Sequence, residues 1–158
     1  MINRKAPEGS YVTSWEEFEF LPGALQGLGL LGRSPMSIVV VTNQRGIARG
    51  RMTEGDLEEI HRRMLAAVAA AGGRIDAVYH CPHEGGCRCR KPEIGMFEDA
   101  AFELGFDLRE TAVVGDSSSD MLAAERIGAV RIMVGGGDDV EVDRRVADLL
   151  AAARWLTG

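Results

Sequence analysis

Several features that mark other classes of protein are missing from this sequence. No apolar run reaches the length of about 20 residues that a transmembrane helix needs. The start, Met-Ile-Asn-Arg-Lys, has two basic residues but no apolar stretch behind them, which is not the pattern of a signal peptide. We therefore expect a cytoplasmic protein that does not bind membranes.

An excess of positive charge is missing as well. Lys and Arg number 18 against 24 Asp and Glu, and the formal net charge is -6. This balance argues against a broad nucleic-acid-binding surface, but it leaves room for a small anionic substrate held by local cations or a metal. The loop G-x-x-x-x-G-K-[ST] is absent, which argues against a kinase of the P-loop type.

Cysteine is scarce, and its three copies lie close together. Cys81, Cys87 and Cys89 are too few and too clustered for a disulfide framework. With His83 they make a Cys₃His set, which is a common structural zinc site with no open position for water. The spacings are tight, but Gly85-Gly86 lets the chain fold back. A redox pair at Cys-x-Cys remains an alternative with a weaker signal.

The sequence does contain an alternation of β-branched runs and segments with helical periodicity. Strands are predicted at 37–42, 77–81, 111–115 and 129–134, the first of them buried on both faces. Helices are predicted at 24–31, from an N-cap at Thr53 to 71, and at 94–104, 117–127 and 140–156. This order predicts an α/β fold, a three-layer Rossmann-like parallel sheet in one domain over residues 1–158.

Polar segments follow three of the predicted strands. They are Thr42-Asn43-Gln44, Cys81 to Lys91, and Asp116 to Asp120. Ligands of such sheets bind beyond the carboxyl ends of the strands, so we expect these segments to lie near one another.

The residue types in these segments suit phosphate and Mg²⁺. The hydroxyl of Thr42 and the following loop amides suit phosphoryl oxygens. Pro92 is compatible with the start of a helix, and the ammonium of Lys91 just before it suits a transferring phosphoryl group. Asp116 and Asp120 suit Mg²⁺. The alternatives are an ordinary polar turn, a solvated lysine, an N-cap at Asp116 and a solvated Asp120.

The motifs together resemble one known family. In order they read Val-Val-Val-Thr-Asn-Gln-Arg-Gly-Ile-Ala-Arg-Gly from residue 39, Cys-Pro-His from 81, Cys-Arg-Cys-Arg-Lys-Pro from 87 and Gly-Asp-Ser-Ser-Ser-Asp from 115. The pattern is similar to that of the D-glycero-D-manno-heptose-1,7-bisphosphate 7-phosphatases and their histidinol-phosphatase relatives in the haloacid dehalogenase superfamily. The resemblance runs from residue 2 to about residue 136, with Ser117 where some relatives carry a basic residue.

The resemblance implies a role for each motif residue. Thr42 and Lys91 are expected to act on the phosphoryl group. The residues expected to contact the rest of the substrate are Tyr11, Asn43, Gln44, Arg45 and Arg90. Asp116, supported by Asp120, is expected to bind Mg²⁺, and the loop at 81–89 is expected to hold Zn²⁺ through Cys81, His83, Cys87 and Cys89.

The resemblance also implies an activity. It is a Mg²⁺-dependent phosphatase of a small sugar phosphate, most specifically of heptose 1,7-bisphosphate at the 7-phosphate, in a monomer without a large cap domain. Histidinol phosphate or another small phosphomonoester is the alternative substrate.

One departure from the family concerns the first strand. Relatives open with a central strand ending in Asp-x-Asp-Gly-Thr-Ile-Asn, and Met1-Ile2-Asn3 matches only the tail. The first of those aspartates would be the nucleophile and the second the general acid and base. We therefore expect a gap or a re-pairing between the strands that end at Thr42 and Asp116, and a start site placed too far downstream. The alternative is an inactive remnant that binds only zinc and phosphate.

Overall fold

A computed structural model describes residues 1–137 and 139–158. The strands are β1 (Val39–Asn43), β2 (Ala77–Cys81), β3 (Ala112–Gly115), β4 (Val130–Val134) and β5 (Arg144–Val146). The helices are α1 (Ala24–Gly32), α2 (Arg45–Ala48), α3 (Glu54–Ala70), α4 (Gly95–Leu104), α5 (Ser118–Ile127) and α6 (Leu149–Thr157), with 3₁₀ turns at Trp15–Glu17 and Leu108–Glu110.

All ladders between these strands are parallel, as the sequence predicts. β1 pairs with β2, so that Thr42 lies opposite His80 and Asn43 opposite Cys81. β4 lies between β3 and β5, with Gly115 opposite Met133. Parallel pairing brings the carboxyl ends of neighbouring strands to one edge, where the polar segments begin.

Helices cover the strands on two faces, which gives the predicted three layers. α1, α3 and α6 contribute to one apolar cluster, whose buried members are Leu28, Leu31, Met64, Val68, Ile132, Leu149, Ala152 and Ala153. α4 and α5 contribute to the other, whose buried members are Phe97, Ala123, Ala124, Ile127 and Ala129. Burial of these side chains is the main favourable term in the stability of the fold.

Between β1 and β3 the fold has a gap. Among the described residues no ladder joins these two strands, and the sheet is divided into a two-stranded and a three-stranded part. A cavity of about 360 Å³ separates them. The expectation that the first predicted strand is buried on both faces is wrong, because every residue of β1 stays partly exposed beside this gap.

Two of the predicted elements differ from the observed ones. The predicted helix at 140–156 is wrong over its first half, because residues 144–146 pair with β4 and α6 begins only at Leu149. The side chain of Asp148 caps that helix by accepting a hydrogen bond from the Ala151 amide at 2.8 Å. The loop expected after Thr42 contains the short helix α2. No helix in the described part of the chain combines the length and apolar character needed to cross a membrane.

Candidate active site

The carboxyl ends of β1 and β3 open into one polar cavity of about 460 Å³. The four residues expected to handle phosphate and Mg²⁺, Thr42, Lys91, Asp116 and Asp120, all line it. They come from three separate segments, and the parallel strands bring them to the same rim.

Lys91 is held in this cavity by contacts on both its backbone and its side chain. Its Nζ donates to the Val41 carbonyl at 2.8 Å and lies 2.7 Å from Asp120 Oδ1. The Asn43 side chain holds the Lys91 backbone through two hydrogen bonds. Its Oδ1 accepts from the Lys91 N–H at 3.0 Å, and its Nδ2 donates to the Lys91 carbonyl at 3.2 Å. The expected helix N-terminus is not what holds Lys91, because α4 begins only at Gly95. A positioned ammonium at a strand end can neutralise an incoming anion.

Asp116 follows β3 and attracts two positive groups. Its Oδ2 lies 3.1 Å from the Met1 ammonium, and its Oδ1 lies 3.1 Å from Lys5 Nζ. Burial raises the pKa of Asp116, but the nearby charges of Met1 and Lys5 outweigh burial and hold the pKa below its ordinary value. The carboxylate is therefore ionised at neutral pH in a position that stabilises cations.

Asp120 supports both Asp116 and Lys91. It forms a capping box with Ser117 at the start of α5, and its Oδ2 accepts the Asp116 amide at 3.2 Å. The alternatives of an N-cap at Asp116 and a solvated Asp120 are both wrong, because Ser117 is the cap and Asp120 is 7% exposed. A Cβ at Gly115 would overlap the Asp120 side chain, so this close approach requires glycine.

The loop after β2 gathers the four predicted zinc ligands. The three Sγ atoms of Cys81, Cys87 and Cys89 and a ring nitrogen of His83 all lie within 4.8 Å of one another. Cys81 Sγ is 3.6 Å from Cys87 Sγ and 3.5 Å from His83 Nδ1. The Arg90 backbone amide is the main cause that lowers the pKa of Cys87 to about 6. Three sulfurs and one imidazole at these separations fit a tetrahedral Zn²⁺ ion.

Comparison with known proteins agrees with this geometry. A HAD-hydrolase-like family model matches residues 88–153. The D-glycero-beta-D-manno-heptose-1,7-bisphosphate 7-phosphatase of Bordetella bronchiseptica is 40% identical over 131 residues, which is 82% of this chain and 73% of that protein. The chain belongs to this family of heptose-bisphosphate phosphatases. The Pseudomonas putida enzyme of the same name is 37% identical over 81% of the chain and 74% of its own length.

Solved structures confirm the haloacid dehalogenase fold of this phosphatase family member. The crystal structure of the B. bronchiseptica D,D-heptose 1,7-bisphosphate phosphatase, complexed with magnesium and phosphate, matches with a TM-score of 0.86 at 36% identity. The match covers 98% of this chain and 92% of that one. The corresponding Burkholderia thailandensis structure matches with a TM-score of 0.70 at 33% identity, over 91% and 90% of the two chains.

The residues predicted to contact the rest of the substrate are only partly brought together. Tyr11, Asn43 and Gln44 line the cavity, and Gln44 Nε2 donates to Thr42 Oγ1 at 3.1 Å. Arg45 and Arg90 do not line it. Arg90 is directed to the Cys/His loop at 81–89, where its Nη1 lies 3.4 Å from the His83 carbonyl. The buried Nε of Arg45 has no hydrogen-bond partner among the described residues.

Sequence reasoning missed two residues that line the cavity. Lys5 reaches Asp116 from the amino-terminal segment, and no sequence motif marks it. His61, for which the sequence makes no functional case, projects from α3 into the same cavity. Burial, with a smaller contribution from His80, lowers the pKa of His61 to about 4, so it is neutral at pH 7. His80 itself contacts Glu54 at 2.7 Å.

Proposed function

We propose that this protein is a Mg²⁺-dependent phosphatase of a small phosphorylated sugar, acting on the 7-phosphate of heptose 1,7-bisphosphate. The observation that carries the proposal is the convergence of Thr42, Lys91 and Asp116 on one polar cavity. The names of the relatives described above support the choice of substrate. Histidinol phosphate or another small phosphomonoester is the alternative.

The chain's own residues supply phosphate binding and charge neutralisation. The Thr42 hydroxyl donates to one phosphoryl oxygen, and the Lys91 ammonium neutralises charge that develops during transfer. Val41 and Asp120 fix that ammonium before the substrate arrives, so little reorganisation is needed.

Asp116 is the residue that would hold Mg²⁺. Its carboxylate already attracts two ammonium groups, which supports a cation-binding role. Asp120 would support it through the Asp116 backbone amide. A bound Mg²⁺ ion supplies further neutralisation of the phosphoryl oxygens.

The covalent step needs one more group. Asp116 and Asp120 are the only carboxylates among the described residues that line the cavity, and both are committed to supporting roles. The expected attack on phosphorus therefore requires a carboxylate placed in line with the leaving oxygen, in addition to these two. A form without such a carboxylate is expected to bind phosphate without releasing it from a substrate.

Phosphate release from two forms of the protein tests this proposal. One form is the 158-residue chain, and the other carries an added amino-terminal apolar strand ending in Asp-x-Asp-Gly. We expect Mg²⁺-dependent release from heptose 1,7-bisphosphate only by the extended form, and loss of that release on Asp116→Asn or Lys91→Met. Arg109→Ala, which removes an exposed ion pair, is the matched control. Turnover by the 158-residue chain would refute the account of the nucleophile, and exclusive turnover of histidinol phosphate would favour the alternative substrate.

We also propose that the loop at 81–89 binds one Zn²⁺ ion in a structural role. The four ligand atoms are close enough to share one ion and leave no position for substrate. Metal analysis of the purified protein should give one zinc per chain, and Cys89→Ser should lower both zinc content and thermal stability. A protein that contains no zinc, or that loses no stability when the metal is chelated, contradicts the proposal.

A further inference from the structure

A short series of hydrogen bonds joins the polar cavity to the Cys/His loop at 81–89. At one end Tyr11 lines the cavity, and its hydroxyl accepts from Arg49 Nη1 at 3.0 Å. At the other end Glu84 Oε1 accepts from Arg49 Nε at 2.9 Å and from Arg49 Nη2 at 2.6 Å. Arg49 and Glu84 themselves do not line the cavity. Arg49 therefore holds the Tyr11 side chain from outside the space that a substrate would fill.

These three residues come from three separate segments of the chain. Tyr11 lies in the amino-terminal segment before the 3₁₀ turn at Trp15–Glu17, Arg49 directly follows α2, and Glu84 lies in the loop after β2. A guanidinium is a planar group with its donors in a fixed arrangement, and Arg49 uses three of them here. One rigid group therefore sets the position of the other two segments relative to α2.

The Tyr11 ring is held a second time, by its packing on Gly46. A Cβ atom at Gly46 would lie 3.1 Å from Cγ and 3.2 Å from Cδ1 of the ring. Carbon atoms in favourable contact are about 3.5–4.0 Å apart, so a side chain at position 46 would displace the ring. The packing on Gly46 and the hydrogen bond from Arg49 act at opposite ends of the Tyr11 side chain, and together they restrict its orientation.

The direction of the hydrogen bond from Arg49 leaves the Tyr11 hydroxyl able to donate. A phenolic oxygen can accept a hydrogen bond and donate its own hydrogen at the same time. Because Arg49 is the donor, the phenolic hydrogen remains free, and it has no acceptor among the described residues. Thr42 and Lys91 are assigned to the phosphoryl group, so an oriented O–H on another part of the cavity wall suits an oxygen of the sugar.

We propose that Arg49 and Glu84 are positioning residues for sugar recognition, which orient Tyr11 so that its hydroxyl donates to an oxygen of the substrate's sugar. This inference rests on the proposed phosphatase function and adds to it two residues that do not touch the substrate. Free phosphate has no sugar, so its binding gains nothing from them. Arg49 and Glu84 are 42% and 56% exposed, and an ion pair of this kind contributes little to stability. Its loss should therefore change substrate affinity without unfolding the protein.

Isothermal titration calorimetry in the presence of Mg²⁺ tests this on the 158-residue protein, with free phosphate and heptose 1,7-bisphosphate as separate ligands. Arg49→Met should weaken binding of the bisphosphate about three- to tenfold and change phosphate binding by less than about twofold. Arg49→Lys, which keeps a donor, should restore part of the loss, and Tyr11→Phe, which keeps the ring, should reproduce it. Arg51→Met is the matched control, because the exposed Arg51 side chain forms no hydrogen bond or ion pair with the described residues.

Combined variants separate positioning from a general structural effect. If Arg49 acts through Tyr11, the double variant Arg49→Met/Tyr11→Phe should bind the bisphosphate no more weakly than the more affected single variant. Glu84→Ala should likewise weaken binding in the unaltered protein and have no further effect in Tyr11→Phe. Gly46→Ala, which displaces the same ring by another route, should weaken binding of the bisphosphate and leave phosphate binding unchanged.

Three results would overturn this inference and leave the proposed phosphatase function standing. They are unchanged binding of the bisphosphate by Arg49→Met, additive losses in the double variant, and an equal loss of phosphate binding. If the unaltered protein binds neither ligand, the proposed function itself is wrong, and the inference with it. Should the 158-residue chain turn over the bisphosphate, KM and kcat replace the dissociation constant, and the same variants should raise KM and leave kcat unchanged.

Discussion

Lys91 and Asp120 form a largely buried ion pair in the cavity. Their side chains are 12% and 10% exposed, against 79% and 42% for Arg109 and Asp107 on the surface. Loss of one partner of a buried pair leaves the other charge without compensation, and this is more destabilising than loss of an exposed pair. The pair therefore contributes to the stability of the cavity in which both residues lie.

Substitution Lys91→Met should lower the free energy of unfolding by about 2–3 kcal/mol, because it leaves the Asp120 carboxylate buried and unpaired. Urea-induced unfolding at pH 7 measures this change. The control Arg109→Ala should lower it by less than about 1 kcal/mol. Equal effects of the two substitutions would show that burial of the Lys91–Asp120 pair is unimportant.

His61 should make stability depend on pH. Burial holds its pKa at about 4 in the folded state, against 6.5 for the exposed side chain. Because the folded pKa is depressed, the unfolded chain binds a proton before the folded chain does, and stability falls as the pH drops from 6.5 towards 4. His61→Gln should remove about 1–3 kcal/mol of this dependence, measured by urea unfolding across that pH range. His80→Gln should retain most of it, since burial is the larger cause; the reverse order would contradict this assignment.

At the scale of elements, side-chain caps set where the helices begin. In α3, Thr53 Oγ1 accepts the Asp56 amide at 3.0 Å, and the Asp56 carboxylate accepts the Thr53 amide at 2.8 Å. Ser117 and Asp120 form the equivalent box at α5. Both starts are readable from the sequence because the cap lies within three residues of the groups it satisfies.

Thr53→Ala should lower the free energy of unfolding by about 1 kcal/mol, through loss of the cap. Thermal or urea unfolding measures the change. Thr157→Ala is the control, because its hydroxyl donates to Ala153 at the fraying end of α6. A change for Thr157→Ala as large as that for Thr53→Ala would argue against the capping box as the cause.

The segment before α6 differs from its sequence-based prediction because its structure depends on a distant strand. Residues 144–146 lie in a segment with helical periodicity, yet they form β5 because β4 offers a free parallel edge. The Asp143 carboxylate accepts the Arg131 amide at 2.8 Å and so fixes the start of that pairing. Neither partner can be inferred from the segment alone, since the contact joins residues 12 apart.

At the scale of the whole molecule, the gap between β1 and β3 should make local stability differ from strand to strand. β4 is paired on both sides, and its Ile132 and Met133 are 0% and 1% exposed. Among the described residues, β1 and β3 are each paired on one side only. Amide exchange should therefore be slowest in β4 and faster in β1 and β3, measured by mass spectrometry at neutral pH. Equally slow exchange in β1 and β4 would mean that the gap is closed in solution.

The sequence alone determined the parallel α/β class and the cap at Thr53, and it predicted that Thr42, Lys91 and Asp116 lie near one another at one rim of the sheet. Each of these follows from local periodicity or from polar residues placed at the end of an apolar run. The Cys/His cluster was also readable, since its four residues are close in the chain.

Only the tertiary structure decided the rest. It pairs Lys91 with Asp120 and brings Lys5 and His61 to the cavity. It also turns Arg90 towards the Cys/His loop at 81–89 and holds β1 apart from β3. These contacts join residues that are distant in the chain, and their energies depend on burial and on which edges remain unpaired. Both quantities are properties of the packed molecule, and no local segment of the sequence contains them.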